Sequence, residues 1–241
     1  MSEPAGPLLS VRGDARLTVA PDYVILSGAI EVSRDSKAAA VRAAAAALDG
    51  LTAGLAALGA VALSADTERS RLTWSAQSAA TRPERKQNEQ TGNYELTGQV
   101  SATVDVLIGV RDFGLLDALG TALATHESFN VRDAGWHVDW DNPAWPQVRA
   151  AAIQAAIHKG HDYAAALGGS LRSVEHIADV GLLSGSGDGS GFRFTSGARA
   201  ARALSGGGGE SDAPSLDPVP QELAATIEAR FTATGVSLAG R

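Results

Sequence analysis

Several residue groupings in the chain have types and spacings that could support chemistry. His158 and His161 stand three apart, which on a helix brings two imidazoles toward one side, with Asp162 adjacent. A zinc site needs three or four ligands, and His126, His137 and His176 fall in no recognised spacing with this pair, so it reads as a solvated helix surface. Asp139 and Asp141 share one side of an extended segment, about 7 Å apart by strand rise. Paired carboxylates at such a distance can act as acid and base. The proline-rich start of a helix just downstream gives a simpler role, in which Asp141 or Asn142 caps that helix.

Other signatures are missing. The run GSGDGSG lacks the G-x-x-x-x-G-K-[ST] pattern that cradles phosphates and has no lysine nearby, so it reads as flexible linker. There is no G-x-S-x-G nucleophile elbow. With no cysteine, the chain has no disulfide, thiolate zinc ligand or thiol nucleophile. The basic cluster Arg82, Arg85 and Lys86 is interleaved with Glu84 and Glu89, and a net charge of −7 argues against a phosphate-tracking face.

Two constellations remain. Trp136, His137, Asp139 and Trp140 concentrate aromatic and polar groups and form a candidate ligand pocket between a sheet and a long helix. Phe192, Arg193 and Phe194 stand within a glycine-rich stretch, where exposed aromatics are candidates for contact with a partner.

The elements that position these residues follow from periodicity. Strands are expected at residues 9–19 and 23–33, with Pro21 in the turn between them. Residues 36–58 read as a helix capped by Asp35 or Ser36 and stopped by Gly59, with a buried stripe of Val41, Leu48, Leu51, Leu55 and Leu58. An irregular strand is expected over 61–76 and an exposed polar loop over 77–92. A strongly alternating strand follows at 93–110, then a short helix at 112–125 and a strand at 128–140. In that last strand Trp136, Val138 and Trp140 would face one way, and His137, Asp139 and Asp141 the other. A long helix at 143–168 would bury Ile153, Ile157, Gly160, Ala164 and Leu167, ahead of strands at 171–183 and 219–235.

The expected fold class is α+β. It has a largely antiparallel sheet with a ferredoxin-like β-α-β-β-α-β middle, a long third helix and outer strands. The expected domains are a short tail at 1–7 and one α+β unit, or two sub-lobes, over 8–183 and 218–236. Residues 184–217 form a flexible Gly/Ser-rich insertion. The most apolar stretch, 43–63, is mainly Ala and Gly and holds Asp49, so no membrane span is expected. The opening MSEPAGPLLSVRG leaves no room for an apolar signal core, so the chain as written is expected in the cytoplasm. Shortened at its N-terminus, it would be periplasmic or secreted.

Four segments together resemble the SIMPL-domain family, formerly a domain of unknown function. VRGDARLTVAPDYVILSGAIEV is similar to that family's opening and GNYELTGQVSATVDV to its central strand. AAAIQAAIHKGHDYAAALGGSLRSVEHIADVG is similar to its helix-to-strand segment, and PVPQELAATIEARFTA to its closing strand. Here Tyr23-Val24 replaces a small residue after Pro-Asp, and His161 stands where a Lys-Ala or Arg-Ala pair is common. The resemblance implies an α+β fold and a tendency to form homo-oligomers, in a family whose members are commonly exported bacterial envelope proteins. It implies no catalytic residues.

The functional expectation is therefore a non-enzymatic, self-associating binding or scaffold protein. It would need no cofactor and no metal, and would bind no nucleic acid; any further protein partner is unknown. The alternative is a small-ligand binder or enzyme using Trp136, His137, Asp139 and Trp140.

Overall fold

A computed structural model describes residues 6–66, 68–87, 92–182 and 217–236. The chain divides into two compact units. Most of the expected 184–217 insertion, with Phe192, Arg193 and Phe194, lies outside the described residues.

The first unit takes β1 (Leu8–Val19), α3 (Ala144–Ala166), β8 (Ser170–Asp179) and β9 (Gln221–Thr234). Its three strands pair antiparallel in the order β1-β9-β8. Odd-numbered residues of β9 (Leu223, Ile227, Ala229, Phe231 and Ala233) turn inward, while the opposite face is polar, with Arg12 and Glu228 3.1 Å apart. The α3 residues buried on this unit recur every fourth position: Ala144, Val148, Ala152, Ala156, Gly160 and Ala164. The expected isoleucines, Ile153 and Ile157, are only partly buried beside this row. Small residues take the centre because β1 presents Gly13 there, so helix backbone and strand backbone approach closely.

The second unit holds β2 (Tyr23–Arg34), α1 (Lys37–Ala57), β3 (Val61–Ala62), β4 (Leu72–Ala76), β5 (Ala80–Gln87), β6 (Tyr94–Val110), α2 (Leu116–Ala124) and β7 (Phe129–His137). The strands run β3-β4-β6-β2-β7, and β5 continues along β6. The β2-α1-β4 connection passes over β6, and β6-α2-β7 passes over β2. These two interlocked crossovers are the ferredoxin-like arrangement that the element order predicts. The core lies on one face of the sheet, where Leu26, Ile30, Val106 and Ile108 meet Leu51 and Leu55 of α1 and Leu119 of α2.

Local chemistry sets the ends of α1. Ser36 Oγ accepts the Ala39 amide at 3.3 Å. At the other end, the Ala60 amide donates to Leu55 and the Gly59 amide to Ala56, a Schellman closure that needs the positive φ of Gly59. The buried face of α1 is rotated from the expected stripe: Ala40 and Ala44 are fully buried, whereas Val41 is 37% exposed. By length and composition α1 is apolar enough to cross a membrane; here it lays this alanine face on the sheet.

Two further readings are corrected. Residues 80–87, expected as loop, form a strand; their polar pattern hides it because neither side is buried and the ladder to β6 is the main support. The strand expected over 61–76 breaks in two, because Asp66 Oδ1 accepts from the Ser70 amide at 3.0 Å, the Ser70 hydroxyl at 2.8 Å and the Glu68 amide at 3.3 Å, which closes a loop.

Candidate functional site

Strand β7 ends at His137, and with it ends the alternation that was to align Trp136 with Trp140. Trp136 is 7% exposed and belongs to the core of the second unit, where Phe113 meets it edge to face at 5.3 Å. Asp139 and Trp140 belong to the first unit. The Asp139 carbonyl oxygen accepts the Trp145 indole N–H at 2.9 Å and the Asn142 amide at 3.2 Å, a local fold leading into α3. Asn142 Oδ1 accepts the Ala144 amide at 2.9 Å, closing a turn that leads into α3, whose N-cap position is Pro143 and carries no side-chain cap. Trp140 is 80% exposed. Neither unit holds all four candidate residues. His158 and His161 are exposed on α3, and among the described residues no group of three or more His, Asp or Glu side chains could hold a metal.

His137 does take part in a constellation that the sequence did not announce. At this end of the second unit's sheet, Leu72, Val110, Val24 and Trp136 lie side by side across β4, β6, β2 and β7. The next residue of each strand end forms a row of Arg71, Arg111, Tyr23 and His137. The Tyr23 and His137 rings stack at 5.0 Å with 20° between their planes. The Arg111 guanidinium lies 4.7 Å from the Tyr23 ring centre, a cation–π contact. The Asp22 amide donates to the His137 carbonyl at 2.8 Å, which fixes the strand ends together.

Beside the row, the Arg71 guanidinium donates to Asp112 Oδ2 through both Nε and an Nη nitrogen. That contact, with the Gly114 amide on Oδ1, holds the Asp112 carboxyl below its ordinary range. The Asp66 carboxyl is likewise lowered, first by the amide and hydroxyl of Ser70, with the nearby Arg111 charge adding to it. The groups of this row bind one another: the carboxylates are held ionised, and the aromatic ring lies between an imidazole and a guanidinium.

A second polar cluster sits on the sheet face. Between Ser27 and Gly28 the register with β7 shifts, so Arg132 is the extra residue of a bulge. The bulge aims its guanidinium across two strands, at Glu31 of β2 (2.5 Å) and Asp105 of β6 (2.9 Å). Sequence reasoning missed both clusters because each is assembled from three or more distant segments. The one local signal was the unusual Tyr23 after Pro21-Asp22.

In comparison with known proteins, residues 9–231 match a family described as SIMPL, protein of unknown function (DUF541). No curated protein matches the chain.

Proposed function

The chain belongs to the SIMPL family, whose biochemical function is unknown, and from that premise we propose that it is a non-enzymatic, self-associating binding or scaffold protein. The observation that carries this reading is the set of strand edges that have no strand partner among the described residues: β1 and β8 in one unit, and β3, β7, the outer side of β5 and part of β6 in the other. Such edges present rows of backbone donors and acceptors that a further strand can satisfy. The best-assembled polar groups, around Tyr23 and Asp112, bind one another, which accords with a structural rather than a catalytic role.

Absolute mass by light scattering after size exclusion tests the reading over a hundredfold concentration range. An assembly larger than one chain is expected; a monomer across the whole range overturns it. The alternative, a small-ligand binder or enzyme, keeps of its four residues only His137, half-exposed beside Tyr23 and Arg111 in the second unit. A ligand bound there would shift the His137 imidazole resonances ahead of those of the other four histidines.

A further inference from the structure

We infer that an apolar trough in the first unit, between β8 and the near flank of α3, is the docking surface for Phe192 and Phe194 of this chain's own segment 183–216. Strand β8 has two bulges, at Arg172 and Glu175, each an extra residue in its ladder with β9. They leave Leu171, Val174 and Ile177 opposite Ala233, Phe231 and Ala229, so apolar residues at a spacing of three share the face on which α3 packs. The helix lies mainly over β1 and β9. Its Gly160 lies against Leu171, whereas Val174 is 51% and Ile177 43% exposed. Lys159 Nζ donates to the Arg12 carbonyl of β1 at 2.6 Å, so the flank that holds the half-buried Ile153 and Ile157 turns the other way, toward β8. The trough thus has an aliphatic floor and an aliphatic wall.

Where the chain leaves and returns points to the occupant. The described chain stops at Leu182, just past β8, and resumes at Asp217, just before β9. Residues 183–216 are therefore an insertion between two paired strands of this unit, and they begin at the end of the trough. At about 3.3 Å per extended residue, the stretch from Leu182 to Phe192 can span roughly 33 Å, more than the roughly 26 Å of β8 from Leu171 to Asp179. The intervening SGSGDGSG supplies glycines for a reversal of direction. Two apart in an extended chain, Phe192 and Phe194 fall on one side and Arg193 on the other. Strand β8 meets that arginine with Glu175 and Asp179 against the single cation Arg172.

Size favours this segment over a separate partner. Two phenylalanine rings bury about 150–250 Å² each, which suits a floor of Val174 and Ile177. That is far below the roughly 1,200 Å² with which separate chains form a stable interface. A tethered segment needs no such area, because a short flexible linker presents it at an effective concentration on the order of millimolar. A contact too weak to hold a free partner can therefore close within the chain. The inference does not rest on the self-association reading.

The absence of cysteine makes the test direct. In the full chain, Val174→Cys is combined with Phe192→Cys or with Phe194→Cys. Ser173→Cys, one residue away on the opposite face beside Thr232, replaces Val174→Cys in the matched controls. In dilute protein under mild oxidation, at least one Val174 pair is expected to close an intrachain disulfide about tenfold faster than its control. Equal rates overturn the inference, as does a disulfide between two chains in place of the intrachain one. Separately, Phe192→Ser with Phe194→Ser is expected to remove ring-current shifts from the Val174 and Ile177 methyl resonances. Methyl resonances that stay in place, or that move only with protein concentration, overturn it as well.

Discussion

Gly13 of β1 lies against the backbone of α3 so closely that a β-carbon built on it would stand 2.1 Å from the Ala152 carbonyl oxygen and 2.6 Å from the Ala156 amide nitrogen. Neither neighbour is a side chain that can turn away. The alanine row of α3 and the missing side chain of Gly13 together fix how near helix and sheet can come.

Gly13→Ala is therefore expected to lift α3 off β1 and to destabilise the first unit by about 1–3 kcal/mol or more, the usual cost of overpacking. Gly160→Ala is a contrast. Its added carbon would meet Phe231 ring atoms at 3.1–3.2 Å and Leu171 Cδ1 at 3.3 Å, all side-chain atoms that can shift. Relief of the helical glycine, about 1 kcal/mol, opposes that crowding, so the net change should stay small. Urea unfolding of the two variants reads the difference.

Trp136 and Trp140 should separate on substitution. Trp136→Ala opens the core of the second unit and is expected to cost about 3–5 kcal/mol. Trp140→Ala removes a ring that is 80% exposed and should change stability by no more than about 0.5 kcal/mol. Equal losses in denaturant unfolding would contradict this placement.

Acid should weaken the strand-end row through Asp112 and Asp66. Both carboxyls have folded pKa values below the ordinary 3.8. Their contribution is then complete above that unfolded value and is lost as pH falls toward it and on through the lower folded values. Asp112→Asn removes its share of the linkage. The thermal midpoint of this variant should fall less steeply than that of wild type between about pH 6 and pH 3.

Arg132→Met deletes the cation shared by Glu31 and Asp105, leaving two carboxylates on neighbouring strands. The three side chains are about half exposed, so the expected loss is at most about 1 kcal/mol. Screening should shrink it further, so the difference from wild type in thermal midpoint should narrow at about 1 M salt.

Much of the fold was legible where local signals agree. The alternation of Val100, Ala102, Val104 and Val106 marked β6, and Gly59 marked the end of α1. The element order gave the ferredoxin-like middle. Hydropathy misled where burial and bulk diverge. Leucine spacing pointed to one face of α1 and isoleucine spacing to one flank of α3, whereas alanine takes the closest contact in both. It was silent on β5, whose support is a backbone ladder that leaves no periodic trace in the side chains.

The candidate site was less legible. The four clustered residues Trp136, His137, Asp139 and Trp140 promised a site by proximity in sequence, and a strand ending at His137 divides them. Sequence by itself determined the α+β class, the caps of α1 and the family, because these depend on residue type at short spacing. The tertiary structure alone decided that Arg111, Tyr23 and His137 stack and that Arg132 reaches Glu31 and Asp105. Strand register and a bulge bring those residues together, and such pairings are set by the packing of the whole sheet.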